Sequence, residues 1–130
     1  MKESLKSHLL NLYCMVVADG EISPKEKTEL YRIGRDLYGV TEDEINKLIF
    51  TDDIVFYIPE TLEDKILYLY DLALIAWADG KITDDERHLL STYAKKFGVL
   101  KTETEELINF LLEKAQSKLS HEELLKEFSN

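Results

Sequence analysis

The feature that most constrains this chain is that it matches itself. Shifted by 60 positions, Leu12 falls on Leu72, Ala18-Asp19-Gly20 on Ala78-Asp79-Gly80, Ile22 on Ile82, Glu26 on Glu86 and Leu30 on Leu90, so that seven of nineteen ungapped positions agree. Composition alone would give about one. After one length adjustment Gly39-Val40 answers Gly98-Val99. A chain of 130 residues supports one core rather than two. The expectation is therefore a single domain over 1–130 built from two related halves, about 9–50 and 61–113, joined by a connector at 51–60. The repeat also explains the start of the chain. Lys2 and Lys6 before the apolar run Leu9 to Ala18 imitate a signal peptide, but that run is the counterpart of an internal segment.

Within each half, apolar residues recur at helical spacing, as in Leu5, Leu9, Leu12, Tyr13, Val16 and in Leu30, Ile33, Leu37, while no long stretch alternates with period two. Helix starts are marked by Ser or Thr followed three residues later by Glu: Ser23/Glu26, Thr41/Glu44, Thr83/Glu86, Thr102/Glu105 and Ser120/Glu123 all fit the capping box. Gly39 and Gly98 stand where left-handed helix stops belong. An all-α chain of about seven helices follows, at about 4–18, 24–38, 42–50, 61–78, 84–97, 103–116 and 121–128. The run Ile66 to Ala78, interrupted only by Asp71, reads as the buried central helix and is far shorter than the ~20 residues of a membrane span. Trp77 belongs to its core end, and Ile22 and Ile82 are expected to be buried alike at their corners. Ile54, Val55, Phe56, Tyr57 and Ile58 make the connector from Asp52 to Glu60 too apolar to be free in solvent, so it should pack as an irregular strap or a short helical turn.

Charge narrows the partners. With 26 Asp and Glu against 16 Lys and Arg, the formal charge is −10, a field that repels phosphate backbones and anionic headgroups. Nucleic acid and membrane are excluded as expected partners, and a cation or a basic protein is the natural complement. The single Cys14, inside an apolar run, cannot form an internal disulfide and reads as inert packing in a reducing, cytoplasmic setting. Catalytic signatures are missing: there is no phosphate loop, no nucleophile elbow and no pair of Glu-x-x-His motifs for a dinuclear site, only Asp85-x-x-His88. His8 and His121, near the ends of the chain, read as surface residues at helix starts. The expectation is a protein that is not an enzyme.

The repeated unit, Ala-Asp-Gly-x-Ile-Ser/Thr-x-x-Glu, has the spacing of the second half of a calcium-binding EF-hand loop, with Asp at the fifth position, Gly at the sixth and Glu at the twelfth. The first half is absent, since Met15 and Val17, or Ile75 and Trp77, stand where oxygen ligands belong. A pseudo-two-fold packing would instead gather Asp19, Glu26, Asp79 and Glu86 around one point, where carboxylates repel unless protonated or bridged by a divalent cation such as calcium, magnesium or manganese. The competing reading needs no metal: each Glu closes a capping box and each Asp caps its own turn. In that case the chain is a structural or adaptor module, with Tyr57, Tyr68, Tyr70, Trp77 and Phe97 as core and Glu103, Glu105, Glu106, Glu122 and Glu123 as a solvated face. An exposed aromatic patch at the connector would favour that reading.

Val17-Ala18-Asp19-Gly20-Glu21-Ile22-Ser23-Pro24-Lys25-Glu26 and Ala76-Trp77-Ala78-Asp79-Gly80-Lys81-Ile82-Thr83-Asp84-Asp85-Glu86 resemble the signature of the tellurite-resistance TerB-like family, and the similarity runs through Phe97-Gly98-Val99 over most of residues 9–113. The resemblance implies an all-helical bacterial domain with an acidic surface, linked to tellurite and chemical stress response, whose motif acids form a divalent-metal site. Carried over by position, those acids are Asp19, Glu26, Asp79 and Glu86. Related domains occur in membrane-anchored DnaJ-like cochaperones, but this chain carries neither a His-Pro-Asp motif nor an anchor.

Overall fold

A computed structural model describes residues 1–51 and 54–129 and folds them into seven helices, with no strand among the described residues. They are α1 (Glu3–Val16), α2 (Pro24–Tyr38), α3 (Glu42–Ile49), α4 (Leu62–Trp77), α5 (Asp84–Lys96), α6 (Lys101–Gln116) and α7 (His121–Ser129). The all-α expectation holds, helix by helix, with ends shifted by two residues or fewer. Asp52 and Asp53 of the connector lie outside the described residues.

The fold is organised around α4, whose residues from Leu69 to Ala76 are all buried, Asp71 included. A helix apolar on every side must be surrounded. Here α1, α2, α5, α6 and α7 pack against it, while α3 closes over α1 and α2. The α2–α3 contact is close because Gly34 lacks a side chain: a Cβ there would stand 2.6 Å from Ile45 Cδ1. Trp77 is half-buried rather than core, its indole N–H donating to the Leu112 carbonyl at 2.6 Å, so it clips the end of α4 to α6 while one side of the ring meets solvent. Tyr70 and Phe97 are core, Tyr68 is half-buried and Tyr57 is exposed. Cys14 is half-buried.

Capping follows the sequence except at Thr102 and, in part, at Ser23, whose hydroxyl accepts from the Glu26 N–H without a return bond from the Glu26 carboxyl. Thr41/Glu44, Thr83/Glu86 and Ser120/Glu123 form reciprocal boxes. Thr102 is not a cap, because α6 begins at Lys101 and Glu105 instead pairs with Arg87 at 2.6 Å. Gly39 and Gly98 take the left-handed conformation, φ +67° and +95°. The connector is irregular, as expected of a strap: the Tyr57 N–H donates to Ser7 Oγ at 3.0 Å, and Phe56 stacks on Tyr93. Its side chains are nonetheless more exposed than their character suggests. Val55 and Ile58 face solvent, as does Phe50 at the end of α3, which is 84% exposed.

The two helix-loop-helix corners share the conformation of their glycine turns and caps, although α1 ends one equivalent position before α4. Gly20 and Gly80 take φ +86° and +89°, and their N–H groups donate to Val17 O and Trp77 O at 3.0 and 2.9 Å. Ser23 Oγ and Thr83 Oγ1 accept from the N–H of Glu26 and Glu86. Burial does not follow the same symmetry. Ile82 packs on the core, but Ile22 is 57% exposed, against the expectation of like burial at both motif isoleucines. The halves differ in length as well: the helix after α5 is the sixteen-residue α6, the one after α2 the eight-residue α3.

Candidate functional site

The two corners meet face to face. Ser23, at the start of α2, donates its hydroxyl to Asp79 Oδ2 in the other corner at 3.3 Å. Glu26 and Glu86, three residues into α2 and α5, are buried to 3% and 2% exposure, with their carboxyl groups close enough to share a proton. The cap chemistry separates them. Glu86 Oε1 accepts from the Thr83 N–H at 2.9 Å and from its hydroxyl at 3.1 Å, completing its box. Glu26 does not reach back to Ser23; its first-corner box is half made, and the carboxyl turns to Glu86.

Two carboxyl groups can bond only if one holds a proton. Burial, then the hydrogen bond to Glu86, then the charges of Glu86, Asp79 and Asp19 push Glu26 up to about 9, so it carries that proton at neutral pH. Beyond the proton that Glu26 can offer the pair, two buried oxygens, Asp79 Oδ1 and Glu86 Oε2, have no hydrogen-bond partner. Such atoms cost about 1–3 kcal/mol each, and their presence in a native fold asks for an explanation.

The four acids singled out by spacing are therefore not equivalent. Glu26, Glu86 and Asp79 converge, whereas Asp19 is exposed, its Oδ1 accepting from the Glu21 N–H at 3.2 Å as a turn cap, and it reaches the pair through its charge. Among the described residues no three His, Cys, Asp or Glu side chains stand in ready metal-ligand geometry. What is preformed is a proton-sharing pair with a third carboxylate beside it. Unpartnered carboxylate oxygens are the donor type that a hard cation takes, with water in its remaining positions. Without His or Cys the set suits calcium, magnesium or manganese better than zinc.

A second polar cluster was not legible as such. Asp71, at 0% exposure in α4, receives His8 Nε2 from α1 at 2.9 Å, His121 Nε2 from α7 at 2.7 Å and the Tyr38 hydroxyl from α2. An ionised carboxylate only accepts, so each imidazole presents its Nε2–H. Burial by itself would raise the Asp71 carboxyl, but hydrogen bonds from His121 and His8, and their charges, outweigh it and hold the group below its ordinary value. Burial and the Asp71 charge push the Tyr38 phenol up, keeping it a donor. Tyr68 stacks on the His8 ring at 3.7 Å between centroids. His8 and His121 are thus not surface residues: His8 is buried, His121 is three-quarters covered, and both bind the buried charge of Asp71 at the centre of α4. The signal was that charge, since a lone Asp in an apolar helix requires donors and the chain holds only three histidines. Asp71 itself is sealed from solvent and both of its oxygens are occupied, which makes the cluster a clamp.

No helix among the described residues is long and apolar enough to cross a membrane. No protein-family model matches the chain, and neither a curated protein nor a solved structure matches it.

Proposed function

We propose that this protein is a non-enzymatic, TerB-like binding module that takes up a divalent cation at the Glu26–Glu86 pair in exchange for the shared proton. The observation that carries the reading is the pair itself: two buried carboxyls, one forced to keep a proton, with Asp79 Oδ1 and Glu86 Oε2 having no other hydrogen-bond donor. Glu26, Glu86 and Asp79 would hold the ion, with Asp19 adding charge at the edge. A divalent cation would supply the positive charge this pocket lacks. Glu86 keeps one oxygen on the α5 cap and leaves the other for the ligand, so binding does not require α5 to uncap. The family resemblance adds bacterial stress response, tellurite resistance included, as the setting; the net charge of −10 supports a protein without nucleic-acid or membrane partners, and Cys14 a cytoplasmic one.

The test is a titration of calcium, magnesium and manganese chlorides into weakly buffered protein near neutral pH, following released protons, amide shifts and melting temperature. Proton release approaching one per bound ion is expected. So is a stabilisation of about 2.7 kcal/mol at a free cation concentration one hundred times the dissociation constant. Asp19→Asn with Asp79→Asn should remove the stabilisation while leaving the turn caps in place. If millimolar levels of all three cations release no protons and shift no resonances, the adaptor reading replaces this one. That second reading has its own support in the apolar strap, where Val55, Phe56, Tyr57 and Ile58 are all exposed.

A further inference from the structure

A groove of about 570 Å³ lies on another face, between the start of α4, the α5–α6 turn, α6 and α7. Its floor is apolar, made by Ile66, Phe97, Leu107, Phe110 and Phe128, with Phe110 and Phe128 packed edge to face. At its mouth Leu62 and Leu100 are each 62% exposed, an unusual state for two leucines beside the same apolar floor. The rim is acidic. Glu103, Glu106 and Glu127 line it against a single Lys65. Glu127 is partly balanced by Lys114 at 3.9 Å, whereas Glu103 and Glu106 make no ion pair among the described residues.

We propose that this groove docks a basic amphipathic segment of a partner protein, its apolar side chains seated between Leu62 and Leu100 and its lysines or arginines facing Glu103 and Glu106. The charge selects the occupant. Phosphate-bearing ligands and anionic lipid surfaces are repelled by the rim and by the net charge of −10. A second copy would bring an equally acidic rim onto this one, and like-charge juxtaposition opposes such pairing. A small metabolite calls for several convergent polar groups over an apolar pocket; here the mouth is leucine and nearly all of the polar rim is carboxylate. An apolar strip flanked by positive charge satisfies floor and rim together, as amphipathic helices do in hydrophobic grooves.

The probe is a short synthetic helix with leucines on one face and lysines along both flanks, compared with a glutamate-flanked version and with one of the same composition whose apolar face is scrambled. Amide shifts on the full chain should map the lysine helix to 97–110 and to α7, with affinity falling as salt rises. Glu103→Gln combined with Glu106→Lys, and separately Leu100→Glu, should each weaken it about tenfold. All three sites are exposed, so folding should survive; if Leu100→Glu does not fold, the salt dependence and the rim variant still decide. Equal binding by either control helix, shifts that map to the 54–60 strap, or self-association abolished by Leu100→Glu would each overturn the proposal.

Discussion

Asp71 and Glu26 are both acids inside the same domain, yet their surroundings treat them in opposite ways. Asp71 has two imidazole N–H groups and a phenol aimed at it from three helices, so its charge is welcome and its carboxyl is held low. Glu26 faces another carboxyl, with Asp79 and Asp19 nearby, so its charge is refused and its carboxyl is held high. The difference separates structure from site. A fully satisfied buried network has nothing left to offer a ligand and specifies the packing of the helices it joins. A half-satisfied one carries a standing cost that binding can relieve, which is why the acidic corner, rather than the clamp, is the candidate for function.

The comparison is most easily broken at the clamp. Asp71→Ala strands the N–H of a buried His8 and the hydroxyl of Tyr38 and leaves a cavity, and removing one partner of a buried charge network costs about 3–5 kcal/mol. Against the 5–15 kcal/mol typical of a domain this is the largest effect expected here. Asp71→Asn keeps the shape and one acceptor, and should cost less. Urea unfolding of both variants measures it, and a loss below about 1 kcal/mol for Asp71→Ala would show that the network is not what holds α1, α2 and α7 on α4.

The pH dependence sharpens the contrast, because the two acids act with opposite sign. Asp71, lowered in the fold, contributes stability that is present above its ordinary value of 3.8 and is lost as pH falls through the lowered one. Glu26, raised in the fold, contributes stability that is fully present below its ordinary value of 4.5 and is lost as pH rises through about 9. Between those limits the native state holds one more proton than the unfolded chain, so stability should fall with pH by up to about 1.4 kcal/mol per unit. Glu26→Gln donates permanently to Glu86. It should flatten this slope and exceed wild type by about 1–2 kcal/mol at pH 9. Denaturation midpoints at pH 5, 7 and 9 decide, and parallel profiles for wild type and variant would mean that Glu26 does not hold the proton.

Much of this was written in the chain and some could not be. Helix positions follow from local rules, three-residue cap spacings and apolar periodicity, and these survive packing almost unchanged; only Thr102 was displaced, by a helix that starts two residues earlier than its Thr-x-x-Glu pattern. The convergence of Glu26 with Glu86 and Asp79 was legible because the repeat implied two like corners. What spacing could not supply was inequality: that Glu86 completes its cap while Glu26 abandons its own, and that Asp19 stays at the surface. Those outcomes depend on which helix covers which corner. The Asp71 clamp joins residues 63 and 50 positions apart, and nothing local at His8 or His121 distinguishes a buried donor from a surface one.

The smallest effect asks whether the acidic corner is held by packing at all. Ile22 and Ile82 occupy the same place in two corners with like turns and caps, yet Ile22 is 57% exposed and Ile82 packs on the core. Surface substitutions away from special features stay within about 0.5 kcal/mol, while removing a partly buried aliphatic side chain costs on the order of 1 kcal/mol or more. Ile22→Ser should therefore leave the unfolding midpoint almost unchanged, and Ile82→Ser should lower it clearly. That outcome would mean the first corner rests on the Ser23 cap, its bond to Asp79 and the Glu26–Glu86 proton, with little apolar anchoring, and so can adjust around a ligand when that proton leaves. Equal losses at the two positions would instead mean that Ile22 is buried in solution like its counterpart. The corner would then be packed as firmly as the clamp, and the physical distinction drawn between the two regions would rest on hydrogen bonding alone.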